Sequence, residues 1–342
     1  MSRSEITIDL GALRRNVVRL RAAAEPAELW AVVKADAYGH GALDAARAAL
    51  EAGASGLCVA TAGEGAALRA VLPEPRVLVM SPLGAGDEGL AREARLEVAL
   101  STPAVPEGLD VHVKVDTGMG RWGMSLGDAL AVPRDRVVGV MSHLATADAE
   151  DPTFARAQIE RFLGVAAEFP GVPAHLANSA GAIRFPEARF DAVRCGIALY
   201  GLSPFGEDPA AHELEPVLSW RSRVALVRTL APGESTGYGR RFVAERPTRV
   251  GIVPVGYADG FRRGLTGTEV LVGESRRPVV GTISMDSLAV ELGEEPPGTP
   301  VTLLGDGILA EEHARVLGTI NYEIACGVSR DPLRTERRVV DG

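Results

Sequence analysis

The chain has 342 residues, of which 46% are apolar and 24% charged. That is enough for two domains with buried cores, and it excludes disordered and fibrous classes. With 36 basic against 45 acidic residues the net charge is −9, which argues against a general nucleic-acid or anionic-membrane binder. No apolar run approaches the roughly 18 to 20 residues of a membrane span, and the opening MSRSEITIDLGALRRN lacks a signal-peptide core. A cytoplasmic protein with neither nucleic-acid nor membrane partners is expected. Cys58, Cys195 and Cys326 are far apart and form no CxxC or Cys/His cluster, so neither a disulfide framework nor a metal site is expected.

From residue 29 to 201, eight short apolar segments read as strands: 29–35, 56–62, 76–81, 96–102, 110–116, 137–144, 173–179 and 192–201. Helical segments separate them. LDAARAALEAG stops at Gly53, and TFARAQIERFLGVAAEF places Phe154, Ile159, Phe162, Leu163 and Ala166 on one face. Strands apolar on both faces, joined by helical crossovers, predict a (β/α)8 TIM-like barrel rather than an open doubly wound sheet. The connection TPAVPEGL between the fourth and fifth strands is too short for a full helix. Beyond residue 216 the texture changes to short β-rich runs between Gly and Pro turns, including VLSWRSRVALVRTL, TRVGIVPVGYAD and TPVTLLG. The expected organisation is a barrel over 1–205, a linker over 206–216 and a C-terminal all-β domain over 217–342.

Only two of the 36 basic residues are lysines, Lys34 and Lys114. A chain that otherwise uses arginine keeps lysine where an amine must lose its proton and attack a carbonyl, which guanidinium cannot do. Both lie at predicted strand ends, where a barrel builds its active site. The same ends carry Arg121, His143, Asn178, Ser179, Arg194 and Gly196. GlyMetGlyArgTrpGly (118–123) formally matches GxGxxG, but it follows a barrel strand and no acidic residue closes a next strand about 20 residues on, so a nicotinamide site is not expected.

Taken in order, AVVKADAYGHG, HVKVDTGMGRWG, HLANSAG, VRCGIALYG, GYGRRF, GYADG, ISMD and TINYE resemble alanine racemase along nearly the whole chain. The resemblance implies a pyridoxal 5′-phosphate enzyme that interconverts L- and D-alanine by a two-base mechanism on the cofactor aldimine, supplying D-alanine for peptidoglycan. It assigns Lys34 as Schiff-base lysine and one base, and Tyr238 as the other. A tyrosine acting near pH 7 needs its pKa lowered by about three units, worth about 4 kcal/mol of nearby positive charge, with Arg194 and His143 as contributors. Arg194 would face the pyridine nitrogen with His175 behind it, and His143 would lie against the ring. Tyr38, Asn178, Ser179, the backbone of Gly196 and Ile197, and Tyr322 would hold the cofactor and its phosphate.

By the same resemblance Arg121 and the Met285 backbone would bind the substrate carboxylate. Tyr257 would line the substrate approach, with Asp286 beside Met285. Lys114 matches a lysine that is carbamylated in many members, and an unmodified amine is the alternative. Two positions depart from the commoner pattern: Trp122, where a smaller apolar residue is usual, and Ser284, where Cys is frequent. The partner implied is a second copy of the chain, in a homodimer with shared sites. Competing expectations are a barrel-type amino-acid decarboxylase, a broad-specificity or serine racemase, and, from another class, a pyridoxal phosphate-binding homeostasis protein, which lacks a second domain.

Overall fold

The computed structural model describes residues 3–305 and 307–342. The chain divides into two compact units, Leu13–Phe205 and a second made of the residues up to Ala12 together with Gly206–Gly342.

The first strand, β1 (Ser4–Asp9), alternates buried and half-buried positions, turning Ser4, Ile6 and Ile8 inward. That period of two suits a sheet with one covered face, whereas barrel strands are apolar on both. Accordingly β1 runs antiparallel to Leu218–Arg223 and parallel to Thr335–Val340. This corrects the barrel span expected over 1–205: its N-terminal strand belongs to the other unit, and residues 1–2 lie outside the described residues. The expected linker over 206–216 also belongs to the second unit, where Asp208 caps a 3-10 turn at Pro209–His212.

In the first unit β2 (Glu28–Val32), β3 (Gly56–Val59), β4 (Arg76–Val79), β5 (Glu97–Leu100), β6 (Val111–Lys114), β7 (Val137–Met141), β8 (Ala174–His175) and β9 (Ala192–Cys195) close into a parallel barrel. β3, β6 and β9 are buried along their whole length, as strands walled by helices must be. Each strand is shorter than its apolar segment predicts. Most of the surplus residues lie past the C-terminal strand ends, and they include Lys34, His143, Asn178, Ser179, Gly196 and Ile197. No helix intervenes between β5 and β6, as the short TPAVPEGL connection requires.

The second unit continues with β10 (Leu218–Arg223), β11 (Leu226–Leu230), the hairpin β12 (Ser235–Thr236) and β13 (Phe242–Val243), β14 (Thr248–Val253), β15 (Glu269–Val272), β16 (Ser275–Val280), β17 (Leu288–Glu291), β18 (Pro300–Leu304) and β19 (Thr335–Val340). Nine strands form one sheet in the order β11-β14-β17-β16-β15-β18-β10-β1-β19. Leu230, Ala244, Val250, Val280 and Ala289 make a buried cluster within it. Fully burying side chains such as Ile6, Ile8 and Phe261 contributes about 1.5–3 kcal/mol each. The unit is largely β, not all β: helices span Ala310–Leu317 and Asn321–Gly327. The first has Glu311 and Glu312 in its opening turn and Gly318 in the left-handed conformation at its end, both ordinary helix-terminus signals. Among the described residues no helix is long and apolar enough to cross a membrane.

Candidate active site

Lys34 stands two residues past the end of β2, and the chain after it turns the wrong way. Ala35, Asp36, Ala37 and Tyr38 all have φ between 52° and 55°, one turn of left-handed helix. Non-glycine residues adopt this at a cost of about 1–2 kcal/mol each. Hydrogen bonds hold the turn: Ala35 N–H donates to Glu64 Oε1 (2.8 Å), and Ala42 N–H donates to Asp36 Oδ1 (2.7 Å). The other Glu64 oxygen accepts from Ala60 and Thr61, so one carboxylate ties the end of β3 to the lysine loop. The turn buries Tyr38 beside the Tyr200 ring, with centroids 5.1 Å apart. Tyr200 is a packing residue, its hydroxyl donating to Val32 O (2.8 Å).

Past β8 and β9 the polar groups converge on one spot. Asn178 Oδ1 caps the helix Ser179–Arg184 by accepting from Gly181 N–H (2.9 Å), which sets the position of Ser179. Ser179 Oγ accepts from Gly196 N–H (2.9 Å). A Cβ on Gly196 would lie 2.4 Å from Tyr38 Oη, so only glycine lets the hydroxyl approach. Two hydroxyls and the backbone at Gly196 and Ile197, where a 3-10 turn begins, thus make a small cradle for an anion.

Arg194, on β9, is buried and held from several sides. Its Nη1 donates to His175 Nδ1 (2.6 Å) and His175 O (2.9 Å), and its Nη2 to the carbonyls of Ser142 (2.7 Å) and Leu176 (3.1 Å). Its Nε, also buried, has no hydrogen-bond partner among the described residues. Burial pulls the guanidinium down to about 10, so it stays charged at neutral pH. His175 is therefore behind Arg194 as expected.

His143 follows β7, its Nδ1 3.4 Å from Arg194 Nη2. Burial, then the charges of Arg194, Lys114, Arg121 and Lys34, push its pKa well below the usual imidazole value. These causes favour the neutral imidazole at neutral pH. Lys114 closes β6, nearly inaccessible, with Nζ donating to Met80 O (3.3 Å). Burial first, then Arg194, Arg121 and Lys34, lower its pKa to about 8. Asp116 accepts N–H bonds from Gly118, Met119 and Gly120 (2.8–3.2 Å). Burial pulls its pKa up, but these bonds outweigh that and hold it below the usual carboxylate range. The loop so gathered presents Arg121, which borders a cavity of about 490 Å³ together with Trp122, Leu100 and Ser101.

Tyr238, Tyr257, Met285, Asp286 and Tyr322 belong to the second unit. Tyr238 opens a 3-10 turn after β12, is 72% exposed, and accepts at its carbonyl from Thr282 Oγ1 (2.9 Å). The Tyr257 and Met285 loops are joined by Ala258 N–H donating to Met285 O (3.0 Å). Arg334 clamps them from below, reaching Asp259 Oδ1 (2.7 Å) and Asp286 Oδ1 (2.8 Å). Tyr257 and Met285 remain 41% and 52% exposed, and Tyr322 lies in the helix Asn321–Gly327.

Sequence reasoning missed Glu64, Arg334, and the pair Glu97 and His112 that continues behind His175. Only His112, alternating with valines in the apolar run VHVKV, carried a visible signal.

The arrangement offers an amine at a barrel mouth, an anion cradle, a buried guanidinium with one unmet N–H, and a second arginine for a carboxylate. Comparison with known proteins shows the family. The family model "Alanine racemase, N-terminal domain" matches residues 8–204, and "Alanine racemase, C-terminal domain" matches 217–338. The chain is 40% identical to alanine racemase of Symbiobacterium thermophilum over 94% of each chain. The solved alanine racemase from Streptomyces lavendulae superposes with a TM-score of 0.93 at 37% identity, covering 100% of this chain and 98% of that one. That from Bartonella henselae, described with covalently bound pyridoxal phosphate, gives 0.91 at 29% identity over 99% and 100%. Matches to both domains set aside the decarboxylase and the single-domain homeostasis protein.

Proposed function

The chain belongs to the alanine racemase family and interconverts the enantiomers of alanine, and from that premise we propose a two-base mechanism served by Lys34 and Tyr238 on opposite faces of the substrate. The observation that carries the cofactor reading is the buried, unmatched Nε of Arg194. A buried N–H without an acceptor costs about 1–3 kcal/mol, and a pyridine nitrogen satisfies it. Pyridoxal 5′-phosphate fits the remaining groups as well: Lys34 for its aldehyde carbon, and Tyr38, Ser179, Gly196 N–H and Ile197 N–H for its phosphate, with Tyr322 added by family likeness. Asn178 serves by capping the helix that carries Ser179, and His143 lies against the ring. When bound, the cofactor supplies an electron sink that acidifies the substrate Cα–H.

The chain's own residues do the rest. Arg194 would hydrogen-bond the ring nitrogen, and a guanidinium that stays charged at neutral pH would not hand it a full proton, which would moderate the sink the cofactor supplies. Arg121 grips the substrate carboxylate through its fork and Met285 through its backbone, with Tyr257 and Asp286 along the approach. Lys34 Nζ would move a proton on one face of the substrate, and Tyr238 Oη one on the other. Lys114, at about 8, has a substantial uncharged fraction near neutral pH, the form that adds CO2. Its carbamate would replace a cation near Arg121 with an anion that orients it.

The active form is a homodimer in which each Lys34 works with Tyr238 and Met285 of a second copy, and its product feeds peptidoglycan. The exposure of Tyr238 and Met285 supports this reading. A small pocket discriminates an added hydroxyl by only about 1–3 kcal/mol, so serine is the competitor to measure. The test of the two faces is α-proton exchange in D2O. Tyr238→Phe is expected to lose racemisation by about 10²–10⁴-fold while one enantiomer still exchanges its α-proton through Lys34. Parental exchange of both enantiomers would remove Tyr238 from the mechanism.

A further inference from the structure

Behind Arg194 a line of side chains runs down the barrel to its opposite end. Arg194 Nη1 meets His175 Nδ1 at 2.6 Å, His175 Nε2 meets His112 Nδ1 at 2.7 Å, and His112 Nε2 meets Glu97 Oε2 at 2.8 Å. Glu97 is the first residue of β5, and Arg76, the first of β4, donates to its other oxygen at 3.0 Å. Both histidines are fully buried. The proposed chemistry uses only the Arg194 end.

The two ends fix every proton between them. A guanidinium only donates and a carboxylate only accepts. His175 must therefore accept at Nδ1 and donate from Nε2, and His112 must do the same, ending on Glu97. A proton added to either Nδ1 would set N–H against N–H. Burial lowers the pKa of both rings, that of His175 well below its usual value. Both imidazoles are thus neutral and point their Nδ1 lone pairs toward Arg194.

The barrel is shaped to hold this line. The Trp30 ring lies tilted on His175, with centroids 4.7 Å apart, and meets His112 edge-on at 5.8 Å. Gly139, the β7 partner of His112 where the β6–β7 register shifts, leaves room for the ring: a Cβ there would sit 2.0 Å from His112 Nδ1. Arg194 itself touches carbonyls and imidazoles, and among the described residues none of its hydrogen bonds goes to a carboxylate.

We propose that Glu97 is a positioning residue for Arg194, acting through a one-way hydrogen-bond relay in which His112 and His175 are locked as neutral Nε2–H tautomers. The inference rests on the reading that Arg194 faces the cofactor ring nitrogen. The relay lends the guanidinium an anion at two imidazoles' remove. It orients Arg194 without placing a carboxylate beside the charge that develops over the ring.

The test is 15N NMR of histidine-labelled holoenzyme, with kinetics and cofactor absorbance of Glu97→Gln, Glu97→Leu and Gly139→Ala. In the parent, His112 and His175 are expected to show protonated Nε2 and bare Nδ1 throughout pH 6 to 9. Glu97→Gln keeps the shape and an acceptor, and so keeps the fold. It is expected to lower kcat by about tenfold with KM for alanine within about twofold, and to shift the cofactor absorbance. Glu97→Leu and Gly139→Ala, which break the line at different points, are expected to lose the single tautomer pattern. An Nδ1–H or doubly protonated ring in the parent would overturn the proposal, as would unchanged 15N patterns, kcat and absorbance in Glu97→Leu. A parent with the ordered relay but no racemase activity would count against the functional reading and leave the relay standing.

Discussion

The two units of the chain treat their candidate site residues in opposite ways. In the barrel, Tyr38, Lys114, Ser179 and Arg194 are buried, Tyr38 against the Tyr200 ring and the others hydrogen-bonded to their neighbours. In the sheet unit Tyr238, Tyr257 and Met285 stand 41–72% exposed on loops braced from below by Thr282 and Arg334. A buried, cross-linked set holds a permanent group at low reorganisation cost, whereas exposed side chains on braced loops await a surface to complete them. On the proposed reading, the difference teaches that cofactor binding would be a property of the barrel, and that turnover would need the second unit.

Breaking the barrel set has the largest expected effect. Lys34→Arg cannot form the covalent link, so racemisation should fall by at least about a thousandfold and the visible absorbance of the linked cofactor should vanish. Absorbance and a coupled D-alanine assay check it, and activity within tenfold of the parent would contradict the assignment. Gly196→Ala comes next. Its methyl would displace Tyr38 Oη from 2.4 Å, and the loss of one phosphate contact should weaken cofactor affinity by about 10- to 100-fold, measured by reconstitution of cofactor-free protein.

The smallest effect sharpens the comparison at Lys114. Its pKa of about 8 means that the uncharged amine, the only form that adds CO2, grows as pH rises through 8. At fixed dissolved CO2, a 13C carbamate signal should therefore rise from pH 7 to 9, and its Lys114 component should be missing in Lys114→Met. With Lys34 engaged by the cofactor, Lys114 is the remaining lysine in the chain, and the difference from Lys114→Met separates its signal from that of an α-amino group. A signal that falls over that range would contradict the lowered pKa.

How far the sequence could be read follows the same division. The barrel strands were legible because burial on both faces leaves continuous apolar runs, and Lys34 because lysine is so scarce. The strand at Ser4–Asp9 was misplaced although its alternation of buried and half-buried residues marks it as part of a one-faced sheet; its partners lie more than 200 residues away. The helix Ala310–Leu317 is only two turns long and sits among β-rich runs. At the candidate site, the residues proposed to touch a ligand fall in recognisable motifs, while those that hold them do not. Glu64, Glu97 and Arg334 look like ordinary surface charges until the fold brings them together. The lowered pKa of His143 also depends on burial and then on four cations from separate strands and loops, which no local pattern displays.

The central claim, that barrel and sheet unit each supply half of a site and do so across two copies, is tested most directly by complementation. Lys34→Ala and Tyr238→Phe homodimers should each be inactive. A mixed dimer would hold one site with both residues intact and one with neither. Co-refolding equal amounts should restore about a quarter of parental activity, since about half the dimers are mixed and each carries one good site. No recovery, with subunit exchange verified by mass, would mean that Lys34 and Tyr238 of one chain serve the same site and would contradict the account.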